Sequence, residues 1–262
     1  MRSGNDKSSE TVYGIHAVRE AVRLRPVEYV LVAQGQSSRR VQEIVDACRA
    51  AGISVRFVPR AALDREAGHA RHQDVVAVCA ARPYNSLDDL VGAGAAPLLV
   101  VLDGVEDPGN LGAVVRTAVA AGADGLVIPG RRAAGLSPAV ARASAGALEH
   151  LRVARVTNLV RALVELKERG VWVYGFEPRA EKSYLDLDYR GSCALVLGGE
   201  ARGLHRLVRE ACDVLARIPL HGPVESLNVS VAAAVVLYEA ARQRRGAEKP
   251  HPATSGETRS SK

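Results

Sequence analysis

Aromatic residues make up only 4% of the 262-residue chain. The interior must therefore be built from Val, Leu, Ala and Ile, which favours an aliphatic α/β protein. It also weakens any mode of RNA recognition that depends on aromatic stacking platforms. Cysteine is sparse: Cys48, Cys79, Cys193 and Cys212 lie far apart and form no C-x-x-C pair. With no disulfide framework and no secretory signal, they read as small buried hydrophobes in a reducing cytoplasm. No apolar run reaches the roughly 18–20 residues that a membrane span needs, so no membrane association is expected. A G-x-G-x-x-G fingerprint is also missing, since Gly104, Gly109 and Gly112 have another spacing. A nucleotide-dependent dehydrogenase survives only as a weak rival. His69-x-x-His72 has helical spacing, but no Cys or carboxylate cluster completes a metal site, and no metal is expected.

What is present is a 47% hydrophobic chain with a formal charge of +6. The charge suits a phosphate-bearing partner as well as plain solubility. Residues 1–10 and 246–262 are polar and without periodicity, and read as disordered tails. Residues 11–82 read as a small α/β unit, with helices over 15–24 and 39–51 and strands over 27–33, 53–58 and 75–80. Residues 83–97 read as a linker with a short helical turn. Residues 98–245 read as a larger α/β domain. Its strands, over 98–102, 125–128, 171–176, 194–197 and 214–218, are continuous aliphatic runs, as in a parallel sheet covered on both faces. Helices are expected over 111–121, 138–148, 159–169, 204–211 and 228–245, with Thr157 as N-cap of the third.

Three stretches carry polar residues where such a sheet binds ligands. In DGVEDPGNLGAVVR, residues 103–116, a strand runs through a Gly/Pro/Asn loop into a helix. Leu111, Val114, Val115, Ala118 and Val119 form its buried stripe, and Arg116 lies about 130° from the stripe's centre, toward the rim. Alone, Arg116 reads as a solvated arginine and Asn110 as an N-cap. In LGGEARGL, residues 197–204, Gly198 and Gly199 end a strand where a missing Cβ admits a ligand against backbone. Glu200 follows, and alone it reads as a helix-start carboxylate. In IPLHGPVESLNVSVA, residues 218–232, a Pro/Gly loop leads to Ser226, a natural N-cap for the last helix. That helix is apolar around most of its circumference and needs covering on more than one side. Arg39-Arg40 and Arg131-Arg132 suit RNA contacts or solvated surface equally.

Together, in this order and spacing, the three stretches resemble the motifs of the SpoU/TrmH branch of the SPOUT RNA 2′-O-ribose methyltransferases. The resemblance covers residues 98–245. Tyr13-Gly-Ile-His-Ala and His72-Gln73 further resemble the subgroup acting on a guanosine of large-subunit (23S) rRNA. The resemblance implies a C-terminal trefoil knot around S-adenosylmethionine and an N-terminal RNA-binding domain with a ribosomal-protein-like fold. It also implies a cytoplasmic homodimer joined through the C-terminal domain. Gly198, Gly199, Ile218, Leu220, Leu227 and Asn228 match cofactor-binding positions. Asn110, Arg116, Glu200, Ser226 and Asn228 match polar active-site positions. His205 and the Ala201-Arg202 pair depart from the subgroup's usual residues beside the cofactor loop, which leaves the RNA target open. A tRNA, an antibiotic-resistance site on rRNA, and a non-catalytic RNA-binding paralogue are the alternatives. Guanidinium is ordinarily only a donor, so Arg116 is expected to clamp a phosphate and stabilise charge on the 2′-oxygen rather than act as base.

Overall fold

The computed structural model describes residues 9–68, 71–199 and 202–245. The remaining stretches read as tails, 1–8 and 246–262, together with His69 and Glu200, lie outside the described residues.

The N-terminal unit contains β1 (Ser9–Tyr13), α1 (Ile15–Leu24), β2 (Val27–Ala33), α2 (Arg39–Ala50), β3 (Ser54–Val58), α3 (Arg60–Ala67) and β4 (Val75–Ala80). Its sheet runs β1-β4-β2-β3, with β2 and β3 parallel and the other pairs antiparallel. β1 was not expected. It begins at Ser9, inside the segment read as a tail, because each of its residues is paired with β4 and Val12 is fully buried. Its alternation is too short and polar to be read as a strand without that partner.

Next comes α4 (Leu87–Val91), inside the segment read as a linker. That segment is packed: Leu90 is fully buried, and Asn85 bridges to the neighbouring strand at Ala154. Ser86 and Asp89 close a reciprocal capping box on the helix.

The larger unit contains β5 (Leu98–Asp103), α5 (Pro108–Ala121), β6 (Gly125–Pro129), α6 (Pro138–Ala143), β7 (Arg152–Val156), α7 (Leu159–Glu168), β8 (Trp172–Phe176), β9 (Lys182–Ser183), β10 (Cys193–Gly198), α8 (Arg206–Ala211), β11 (Val214–Arg217) and α9 (Val229–Arg245). Its seven strands lie in the order β7-β6-β5-β10-β8-β11-β9, and every pair is parallel. One face carries the core of α5, α6 and α9, and the other carries that of α7 and α8. Burial on both faces is why the strands are continuous rather than alternating in hydrophobicity.

Two local expectations are corrected, and two strands stand where none was expected. The helix expected over 138–148 ends at Ala143, and the chain turns through Ala145 (φ 52°) and Gly146 (φ 85°) into a short 3-10 turn at Ala147–His150. The turn seats residues 143–146 between two helices: a Cβ on Gly112 of α5 would lie 2.4 Å from Ala143 Cβ, and one on Gly146 would lie 2.9 Å from His16 O of α1. The N-cap of α7 is Asn158 rather than Thr157, its side chain accepting from Arg161 N at 3.0 Å. β7 went unread because its apolar positions are interrupted by Arg152 and Arg155. β9, two residues long, was also missed.

A buried ionic cluster joins the two units. The Glu149 side chain, 2% exposed, faces the guanidinium of Arg25 at 3.3 Å and that of Arg82 at 3.6 Å. Arg25 also holds Glu10 at 2.9 Å. Both arginines donate further to carbonyls, Arg25 to Ala80 and Arg82 to Leu148.

Candidate active site

The strand order explains how distant motifs meet. β10 lies between β5 and β8, with β11 beyond β8, and all four run parallel. Their C-terminal ends, at Asp103, Gly198, Phe176 and Arg217, therefore share one edge of the sheet. The loops leaving that edge are the three polar stretches and the Glu177-Pro178 turn.

Two glycines interlock the loops. A Cβ at Gly198 would stand 2.0 Å from Gly203 C and 2.4 Å from Leu204 N. One at Gly199 would stand 2.2 Å from Gly104 O. The space that a missing Cβ leaves at each glycine is thus filled by the chain's own backbone rather than left for a ligand. Gly199 N donates to Asp103 O at 2.8 Å, and Gly203 N donates to Gly199 O at 2.9 Å. Gly203, with φ 62°, closes this turn in the left-handed region.

A cavity of ≈ 440 Å³ opens beside this interlock. Gly198, Gly199, Ile218, Leu220, Ser226, Leu227 and Asn228 all line it, with Phe176, Glu177 and Pro178 as a further wall. The second and third sequence stretches thus meet in one chamber. The volume lies within the roughly 300–1,000 Å³ of small-molecule sites. Apolar side chains alternate there with strand-end backbone, which suits a ligand with a flat apolar ring and polar edges.

Asn228 ties the chamber to the first stretch, its Nδ2 donating to Asn110 Oδ1 at 3.1 Å. Asn228 Oδ1 accepts from Ser230 N at 2.9 Å and from Ser230 Oγ at 2.6 Å. Asn228, not Ser226, is therefore the residue at the head of α9, and Ser226 is left facing the cavity. Asn110 is likewise not an N-cap. Asp107 caps α5, accepting from Asn110 N at 2.7 Å, with Pro108 at the first helical position.

Arg116 stands apart. It lies six residues beyond Asn110 on the exposed side of α5 and does not line the chamber. Leu111, Val114, Val115 and Ala118 are buried as expected, while Val119 is only partly covered.

Several residues at this edge went unread. Asp103, 5% exposed, accepts from His205 N at 2.7 Å and faces His205 Nδ1 at 3.0 Å. The available signal was an acid closing the aliphatic run Leu98–Asp103. His205 was noticed only as a departure from a pattern. Glu177 and Pro178 had no signal, because only the strand order makes β8 a neighbour of β10. Beneath the edge, burial pushes the Cys212 thiol up to about 12.

A parallel sheet whose glycine loops interlock beside a half-apolar chamber, carried with a smaller N-terminal α/β unit, is the frame of an α/β protein that binds its ligand at the strand ends, and the family match gives its class as an RNA methyltransferase. The chain belongs to the SpoU rRNA Methylase family, whose description matches residues 97–238. A second description, RNA 2′-O ribose methyltransferase substrate binding, matches residues 11–85. The 23S rRNA (guanosine-2′-O-)-methyltransferase RlmB of Xylella fastidiosa (strain 9a5c) is 49% identical over 245 residues, covering 91% of this chain and 98% of the relative. The enzyme of the same name from Vibrio vulnificus (strain CMCP6) is 40% identical, covering 90% and 98%. Among solved structures, the SpoU methyltransferase AviRb from Streptomyces viridochromogenes in complex with AdoMet superposes with a TM-score of 0.79 at 29% identity, covering 92% of this chain and 94% of that one. S-adenosylmethionine is the cofactor of this family. Among the described residues, no helix is long and apolar enough to cross a membrane, and no His/Cys/Asp/Glu group could hold a metal ion.

Proposed function

We propose that this protein methylates the ribose 2′-hydroxyl of a guanosine in 23S rRNA, drawing the methyl group from S-adenosylmethionine in the ≈ 440 Å³ chamber. The observation that carries the reading is the convergence of Gly198, Ile218, Ser226, Leu227 and Asn228 on that chamber, with Asn110 bonded to its rim. The guanosine target is supported by relatives of that name that match over nine-tenths of the chain.

The bound cofactor supplies a sulfonium methyl that leaves readily, so the protein's work is positioning and charge management. Gly198, Gly199, Ile218, Leu220 and Leu227 hold the cofactor, largely through backbone. The Asn110–Asn228 pair fixes the rim at which the ribose is oriented, and Ser226 offers a hydroxyl to the reacting pair. Arg116 clamps a substrate phosphate and stabilises charge growing on the 2′-oxygen. Glu200, outside the described residues, orients that arginine or the ribose.

A homodimer through the C-terminal unit belongs to this reading. Val231 and Tyr238 on α9 are 48% and 52% exposed, and Arg116 is exposed on α5 and absent from the lining of its own chamber, so it is free to serve a partner's. The wrapping of the last segment as a trefoil knot is part of the proposal, as are a cytoplasmic site of action and a division into an RNA-binding unit at 11–82 and a catalytic unit at 98–245.

The test is incubation with methyl-labelled S-adenosylmethionine and unmodified total RNA, followed by mapping of the label. Label on a 23S guanosine 2′-oxygen is expected. Label confined to tRNA would refute the target. Cofactor binding without transfer to any RNA would leave a binding paralogue.

A further inference from the structure

Three cavities meet at the sheet edge. Besides the ≈ 440 Å³ chamber, a basin of ≈ 860 Å³ and a cleft of ≈ 520 Å³ adjoin it through shared lining residues. Arg202 and Gly203 are the residues that line all three. Arg202 is exposed, and its guanidinium has no hydrogen bond or ion pair among the described residues. The next residue, Gly203, bridges to Gly199, and its carbonyl carbon occupies the space of a Cβ on Gly198. An exposed, uncommitted, planar cation that lines a ligand chamber beside a tightly packed glycine is suited to receive an anion.

Two anions can arrive there: the carboxylate of the cofactor's methionine part and a phosphodiester of the RNA. The surroundings favour the phosphodiester. The basin that Arg202 opens onto also carries Arg179, Arg209, Arg217 and His221, against the carboxylates Glu177 and Glu225. Arg209 faces Glu177 at 3.8 Å, and Arg217 is committed to the carbonyls of Ala180 and Glu181. Arg179 is exposed and, like Arg202, has no ion pair among the described residues. Several cations lining the adjoining basin, two of them (Arg202 and Arg179) without an ion pair among the described residues, suit a chain of phosphates, whereas one carboxylate needs one partner. The smaller cleft adds Arg132 but also Glu106 and Asp107, which would repel a phosphate.

We propose that Arg202 is a substrate-positioning residue: it grips a phosphodiester next to the target nucleotide, and the strand continues over the basin past Arg179. The proposal rests on the methyltransferase reading and adds the path of the RNA across the catalytic unit.

The experiment compares wild type with Arg202→Ala, Arg202→Lys and Arg179→Ala in the full-length protein. Cofactor affinity is read by calorimetric titration, RNA affinity by filter binding at several salt concentrations, and turnover by label transfer. Arg202→Ala is expected to leave cofactor affinity and melting temperature unchanged. It should weaken RNA binding and flatten the salt dependence by about one released counterion, a slope change of roughly 0.7–0.9. Its effect should appear in KM for RNA, with Arg202→Lys recovering the salt slope and Arg179→Ala producing a smaller loss of the same kind. Cofactor affinity falling tenfold with RNA binding intact would assign Arg202 to the carboxylate and overturn the proposal, as would unchanged RNA binding. Absence of transfer in the wild type, with these binding differences present, would defeat the methyltransferase reading and leave the phosphate contact standing.

Discussion

Substituting Gly198 by Ala adds one methyl group at the point where two loops touch. The new Cβ would lie 2.0 Å from Gly203 C, 2.3 Å from Gly203 O and 2.4 Å from Leu204 N. Real Cβ contacts essentially never fall below 3.0 Å, so the 203–204 backbone must retreat by about an ångström. Backbone cannot rotate out of the way as a side-chain tip can. The retreat also pulls on the Gly203 N to Gly199 O bond, 2.9 Å long, which shapes the chamber wall. Overpacking of this kind costs about 1–3 kcal/mol, and an ångström of misplacement at a reacting centre costs on the order of a hundredfold in rate. Gly198→Ala is therefore expected to lower S-adenosylmethionine affinity at least tenfold in calorimetric titration and nearly to abolish label transfer. Gly191→Ala, where a Cβ meets nothing within 4 Å, is the matched control and should behave as wild type. A Gly198→Ala protein with wild-type cofactor affinity and melting temperature would refute the claim that backbone interlock builds the chamber.

Arg116→Lys keeps the charge but loses the planar fork, so label transfer should fall severely while calorimetric cofactor affinity is retained; near-normal turnover would remove Arg116 from the mechanism. Glu149→Ala leaves Arg25 and Arg82 facing each other without their shared carboxylate, and the loss of a buried ion-pair partner costs about 3–5 kcal/mol in urea unfolding. Burial already holds the Arg82 guanidinium below its ordinary pKa, which sharpens that expectation. Burial also raises the Cys79 thiol from 9.0 to about 11 and the Cys212 thiol to about 12. Unfolded thiols ionise near pH 9 while these two stay protonated, so their contribution is complete below pH 9 and is lost as pH rises toward 11–12. Each group should steepen the fall by up to about 1.4 kcal/mol per pH unit, visible as a declining melting temperature above pH 9; a flat profile to pH 11 would contradict it.

The parallel α/β sheet was legible because burial on both faces leaves uninterrupted Val/Leu runs, as in Leu98–Leu102 and Ala194–Leu197. Glycine and asparagine clusters at strand ends marked the chamber's second and third walls. Pairing was not legible. β1 and β7 depend on neighbours to bury residues that look polar in sequence, and the break at 144–146 answers to Gly112 and α1. Capping was misassigned at Ser226 and Asn110 because Asp107 and Asn228 compete for the same role within two or three positions. Arg116 was placed at the rim of its helix, but no periodicity tells which chamber that rim overlooks. The Asp103–His205 pair joins positions separated by most of the larger unit, a distance that local pattern cannot bridge.

β10 has a consequence for how the chain is made. It is the middle strand of the seven, yet it is synthesised after β5, β6, β7 and β8, and it must enter between β5 and β8. Until then the nascent protein presents two open, aliphatic strand edges with unpaired amides and carbonyls, a template for wrong partners. Long-range parallel pairing of this kind is also slow to form. Cells making this protein quickly should therefore accumulate insoluble chains first, and ribosome-bound fragments ending before Gly198 should acquire no affinity for S-adenosylmethionine.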